Sequence, residues 1–229
     1  MNEILRLENI SLAYQTETDE IRALSSISFN VEKGEFVAII GPSGCGKTSI
    51  LSIIAGLLKP SGGKVTLCGE EIKKGKNSIG YMLQKDELFP WRTIEENAYL
   101  PLEVKKLKSA DEKKKVNRLL EKYGLWEFRD KYPSQLSGGM RQRAALIRTL
   151  AVKPDIFLLD EATASLDVDN ESLIQQSISK LIENKTVLII AHRMRTVAGV
   201  DKIVVLKDGE TAEMGSPAQL MKKGGIYKH

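Results

Sequence analysis

The chain has 229 residues, 42% hydrophobic and 28% charged, which is the composition of a soluble globular protein. It carries 34 Lys and Arg against 30 Asp and Glu, and residues 103–123, with eight basic and four acidic side chains, hold that whole excess. The remainder is balanced at 26 of each sign, which argues against a nucleic-acid binder built on a broad basic face, because phosphate attraction needs positive charge spread along the contact.

In chain order, Phe36-Val37-Ala38-Ile39-Ile40 is the first predicted core strand, nearly all apolar as a parallel strand covered on both faces should be. It runs into Gly41-Pro42-Ser43-Gly44-Cys45-Gly46-Lys47-Thr48 and a predicted helix from Lys47 to Leu57. This is G-x-x-x-x-G-K-[ST] between a strand and a helix, a phosphate-binding P-loop. Its glycines let backbone N–H groups point at a β-phosphate, aided by the helix N-terminus. Lys47 then brings charge to the β- and γ-phosphates, and Thr48 offers a hydroxyl to Mg²⁺. Ser49 follows in the same turn.

Between about residues 90 and 150 no strand pattern is present, so a helical sub-domain is expected there, inserted between sheet strands. Ser109-Ala110-Asp111-Glu112 has the spacing of a capping box. Val116, Leu119, Leu120 and Tyr123 then form one stripe, and Gly124 provides a stop. The basic excess lies on the other side of that helix. It reads as a solvated face, with a modest attraction to anionic lipid as the functional counterpart.

Ile156-Phe157-Leu158-Leu159 is a second buried strand, and Asp160-Glu161 follows it directly. Asp160 suits a Walker-B carboxylate that helps to hold Mg²⁺, and Glu161 is placed as general base for an attacking water. Adjacent carboxylates beside a metal favour hydrolysis over transfer to an acceptor. Leu173, Ile174, Ile178, Leu181 and Ile182 make another helical stripe, and Val187-Leu188-Ile189-Ile190 a third strand. Ile203-Val204-Val205-Leu206, Asp208-Gly209 and Glu210 to Met214 predict a hairpin.

Leu136-Ser137-Gly138-Gly139-Met140-Arg141-Gln142, ahead of a helical run ending near Ala151, resembles the signature sequence of ATP-binding cassette (ABC) ATPases. The physical logic is a second anion site, with Ser137 and the N–H groups of Gly138 and Gly139 at a helix N-terminus. The resemblance covers nearly the whole chain. It implies an α/β P-loop NTPase fold with a mostly parallel core sheet, an N-terminal antiparallel β part and the inserted helical sub-domain. The whole chain is then one ABC ATPase domain, with 1–89 and 151–229 as catalytic core and 90–150 as the helical part. It also implies an ATP- and Mg²⁺-dependent ATPase that works as a homodimer, each signature closing over the ATP held by its partner. By the same resemblance Tyr14 stacks on adenine, Gln84 senses Mg²⁺ and the attacking water, and Ser165-Leu166-Asp167 communicates across the dimer. His192 is the switch histidine at the γ-phosphate.

The first two-thirds are similar to the ATPase subunits of nitrate-, sulfonate- and taurine-type importers, through Gly41–Thr48, the stretch from Gln84 to Ile94 with Asn97, and Tyr132-Pro133-Ser134-Gln135-Leu136. The stretch from Gln84 to Asn97 is then a groove for a membrane-spanning subunit. Leu88, Phe89 and Trp91 serve equally as anchors there or as packing within the helical region. The last third differs. Ala162 stands where importers usually have Pro, Arg193 where they have Asp, and Gly224-Gly225-Ile226-Tyr227 is similar to exporter ends. Many positions change together, which favours recombination of two ABC ATPases over drift. A soluble cassette acting on nucleic acid usually has tandem cassettes or a long coiled-coil insertion, and neither is present.

No uninterrupted apolar run exceeds five residues, far short of the roughly 20 of a membrane-spanning helix. The first six residues lack a basic-then-apolar signal pattern. Cys45 and Cys68 fit a reducing compartment. The expected location is the cytoplasm, peripheral on the inner face of the membrane.

Overall fold

A computed structural model describes residues 2–15, 19–72, 79–107, 109–160, 185–191 and 199–228. The chain divides into two compact units, one of Met1–Ile79 with Asn184–His229 and the other of Gly80–Glu183.

The first unit opens with two 13-residue strands, β1 (Glu3–Gln15) and β2 (Glu20–Glu32), paired antiparallel. Their register shifts near Leu7 and Ile10, where Asn9 and Ser26 take left-handed φ values of 51° and 58°. Asn9 Oδ1 accepts from the Ser26 and Ser28 hydroxyls, a local hydrogen-bonded arrangement that suits Asn in this conformation. The sheet continues through β4 (Gly62–Leu67) and β5 (Glu70–Glu71) in the order β2-β1-β4-β5. Leu5, Leu7, Ile10, Leu24 and Ile27 form its buried face.

The same unit contains β3 (Phe36–Ile40), β8 (Thr186–Ile190), β9 (Lys202–Lys207) and β10 (Glu210–Gly215), in the order β10-β9-β3-β8. β3 is parallel to both neighbours, with Ala38 opposite Ile189 and Ile203. Only β10 is antiparallel, joined to β9 through Asp208 (φ 50°) and Gly209 (φ 77°), the double left-handed turn of a tight hairpin. Every residue of β8 is buried, which explains why these strands read as continuous apolar runs.

Helix α1 spans Lys47–Ile54, shorter than its apolar pattern suggests. Gly56 is left-handed (φ 70°); its N–H reaches Ile53 O at 3.0 Å and Leu57 N–H reaches Ser52 O at 2.9 Å. Those two bonds are a Schellman stop. Leu57 is left outside the helix and 65% exposed.

Among its described residues the second unit contains β6 (Ile79–Met82, starting on the boundary) beside β7 (Ile156–Asp160), and three α-helices. These are α2 (Ile94–Val104), α3 (Ala110–Lys122) and α4 (Gly138–Leu150). A full capping box lies at Thr93 and Glu96, ahead of α2. At Ser109 the hydroxyl accepts from Glu112 N–H at 3.3 Å, while the Glu112 carboxylate pairs with Lys115. On α3, Val116 and Leu120 are fully buried and Leu119 only partly. Gly124 follows with φ 67°. The first unit closes with α5 (Pro217–Lys223), N-capped by Ser216. Among the described residues no helix is long and apolar enough to cross a membrane.

Candidate functional site

In the first unit the phosphate loop runs from the end of β3 into α1. Gly46 is the N-cap residue, at φ 96°. A side chain there would collide with Leu24 Cδ2 and lie 2.9 Å from Ala23 O. Gly41 is as crowded, since its Cβ would strike Leu206 O and sit 2.8 Å from Cys45 Sγ. The two glycines are therefore required by the strands the loop packs on as well as by its curvature. Pro42, Ser43 and Gly44 are exposed, as is Thr48 at the helix start, whereas Cys45 is buried.

Lys47 is 5% exposed and turns back into the loop. Its ammonium donates to Gly41 O at 2.9 Å and to Pro42 O at 2.8 Å. An ammonium has three donors, so the loop backbone takes two and holds the charge at its centre. The N–H groups of the first helical turn have no carbonyl four residues back. They and the lysine make this loop an anion cradle. Tyr14, on β1, is 43% exposed, with its hydroxyl 3.5 Å from the Ser49 Oγ on α1. The structure thus brings together Tyr14 and the loop from Gly41 to Ser49.

The second unit holds the signature segment and Gln84. Ser137 is the N-cap of α4; its hydroxyl accepts from Met140 N–H at 3.3 Å and its carbonyl from Arg141 N–H at 3.0 Å. Ser137 and Gly138 are exposed, and the first turn of α4 has no acidic residue, so the positive end of the helix is uncompensated. The sequence signal is carried by an actual helix start.

Three α4 side chains to which the sequence reading gave no role reach the loop at Gln84. Gln142, 4% exposed, donates from Nε2 to Gln84 O at 3.1 Å. Arg148 donates to Asp86 O at 2.8 Å and Glu87 O at 2.7 Å. Arg141 pairs with the Asp86 carboxylate at 3.0 Å. Burial pulls the Arg148 guanidinium below its usual pKa, against the opposing pull of the Asp86 and Glu87 carboxylates. The available signal was the i, i+7 spacing of the two arginines on a helix with a buried apolar side.

Asp160 ends β7, 5% exposed, and its carboxylate accepts from the Tyr81 hydroxyl at 3.5 Å. The anchors divide. Leu88 is buried at 8% exposure, and Trp91 is 70% exposed, stacked on Phe89 with ring centroids 5.0 Å apart. Asn97 is fully buried; it accepts from Phe89 N–H and donates to Phe89 O, Arg92 O and Thr93 O. Its position in the sequence motif thus corresponds to a bracket that shapes residues 89–93. Glu161, Ser165, Leu166, Asp167 and His192, with the stripe from Leu173 to Ile182, lie outside the described residues.

A family model for the ABC transporter matches residues 24–164. The Bacillus subtilis ABC transporter ATP-binding protein YtlC is 42% identical over 82% of this chain and 73% of its own length. The methionine import ATP-binding protein MetN of Haemophilus influenzae is 35% identical over 95% of this chain and 66% of its own length. The dimeric cassette MJ0796, solved with bound ADP and Pi, superposes with a TM-score of 0.84 at 34% identity, covering 93% of this chain and 98% of the other. A bacterial Atm1-family ABC exporter with ATP bound gives the same TM-score at 29% identity, over 99% of this chain and 41% of the exporter. With a buried P-loop lysine in one unit and a capped signature helix in the other, the chain belongs to the ABC transporter family as an ATP-binding, ATP-hydrolysing cassette.

Proposed function

We propose that two copies of this chain bind ATP with Mg²⁺ face to face, close on it, and drive an importer-type membrane subunit, with hydrolysis reopening the pair. The observation that carries this reading is the exposed start of α4. Ser137 and Gly138 offer a helix N-terminus with no acidic side chain in its first turn, which is half of an anion site. The dimeric state of the solved cassette MJ0796 supports a second copy as the other half.

Each copy contributes Tyr14 for adenine and the loop Gly41, Pro42, Ser43, Gly44, Cys45, Gly46, Lys47, Thr48 and Ser49 for the phosphates. It lends Ser137, Gly138, Gly139 and Asp167 to its partner's nucleotide. Thr48, Gln84 and Asp160 are oxygen donors of the hard type that Mg²⁺ takes, and a buried carboxylate at a strand end suits a cation. The metal supplies charge neutralisation at the phosphates. Glu161 takes the proton of the attacking water, and His192 contacts the γ-phosphate.

The surface from Gln84 to Asn97 receives the membrane subunit, with Trp91 as the exposed aromatic anchor and Leu88 as internal packing. The named importer relatives support this direction. The protein works in the cytoplasm, against the inner face of the membrane.

Glu161→Gln tests the composite site. The variant should run as a dimer on gel filtration with MgATP and as a monomer without it; a monomer at saturating ATP overturns the model. Trp91→Ala should abolish co-purification with a co-expressed membrane subunit while leaving ATP affinity unchanged.

A further inference from the structure

The loop that carries Gln84 is held in an unfavourable shape by side chains of one helix. Glu87 has φ 46° without being glycine, a left-handed geometry that L side chains disfavour. The carbonyls of Asp86 and Glu87, at and just before that turn, both accept from the fork of Arg148. Asp86 closes the turn from inside, accepting Leu88 N–H at 3.3 Å on one oxygen and Arg141 Nε at 3.0 Å on the other. Two turns nearer the start of α4, Gln142 holds the Gln84 carbonyl. The three side-chain donors, Arg141, Gln142 and Arg148, all belong to the helix whose first residue follows Ser137.

We infer that Gln142 and Arg148 are positioning residues for hydrolysis: they lock the Gln84 loop to α4, so that the signature helix start and Gln84 are placed together. The inference rests on the reading of Gln84 as the group that meets Mg²⁺ and the attacking water. The hydrogen bonds of both residues end on backbone carbonyls of the loop. Their effect passes through the backbone at 84–87, where a displacement of about 1 Å can cost up to 10²-fold in rate. The planar two-pronged geometry at Arg148 is one that a lysine cannot reproduce.

A double-mutant cycle on ATPase rate, read as a function of Mg²⁺, tests this. Gln142→Met keeps side-chain length and removes the amide that grips Gln84 O. It should fold with an unchanged melting midpoint, lose roughly tenfold in kcat and need more Mg²⁺ for half-maximal rate. Arg148→Lys should behave in the same way. Mg²⁺-free binding of a fluorescent ATP analogue should stay within about twofold of the parent, since the Lys47 loop is untouched. In Gln84→Ala backgrounds, neither substitution should cause a further loss, because the group being positioned is gone. Losses that multiply in the double variants, or a parental Mg²⁺ profile in Gln142→Met, overturn the positioning role. A parental rate and Mg²⁺ profile in Gln84→Ala alone overturns the Gln84 reading, and the positioning role with it.

Discussion

The hydroxyl of Tyr14 lies 3.5 Å from that of Ser49, so the C-terminal end of β1 is tied to the helix that the phosphate loop starts. In the proposed function this ring, 43% exposed beside that helix, is the platform on which adenine stacks. Removing it in Tyr14→Ala should weaken ATP binding roughly tenfold, as expected for a base-stacking aromatic. Tyr14→Phe keeps the face and loses only a long, exposed hydrogen bond, so its affinity should match the parent. Titration with a fluorescent ATP analogue checks both. Equal losses in the two variants would assign the effect to the Ser49 contact instead.

Gly46→Ala should damage the loop. It adds a Cβ at a left-handed position and drives it into Leu24 and Ala23 O. Strain and overpacking together should destabilise the protein by about 3 kcal/mol. A urea denaturation curve with unchanged slope and an earlier midpoint is the expected result.

Asn97 should matter for shape rather than chemistry. Its amide serves three carbonyls and one N–H of residues 89–93 from a fully buried position. Asn97→Ala leaves those groups without their partner and should cost about 2–4 kcal/mol. Asn97→Asp should fare no better, since it removes the donors and buries a charge. Differential scanning calorimetry on the two variants checks this.

Tyr99 gives a pH-dependent signature for the α2–α3 pair. Burial first, then the nearby Glu95 carboxylate and its hydrogen bond, push the Tyr99 hydroxyl up to about 12, against a smaller opposing pull from Asn117. The folded state therefore favours the protonated phenol more than the unfolded chain does. That contribution is complete below pH 10 and is lost as pH rises toward 12. Tyr99→Phe should show a flatter fall of the urea midpoint over this range than the parent.

The P-loop, the hairpin at Asp208-Gly209 and the buried strands were legible in the sequence because each depends on residues next to one another. The helical region from 90 to 150 was legible too, through the stripe at Val116 and Leu120 and the stop at Gly124. The end of α1 was not, because Leu57 continues the apolar pattern while Gly56 ends the helix by backbone geometry. The grip of Arg141, Gln142 and Arg148 on residues 84–87 was hidden for a different reason. It joins segments more than fifty residues apart in the chain, and nothing in either segment alone names its partner. The split between Leu88 and Trp91 followed only from burial, since both are simply apolar in the sequence.

Lys47 fastens Gly41 O and Pro42 O, so bonds within the chain itself hold the loop in its curved shape. Fixing a backbone residue costs roughly 1–2 kcal/mol in entropy, and for this loop that cost falls on folding rather than on nucleotide binding. Association should then be fast and nearly insensitive to loop motion, and slow exchange of nucleotide would have to arise elsewhere in the cassette cycle.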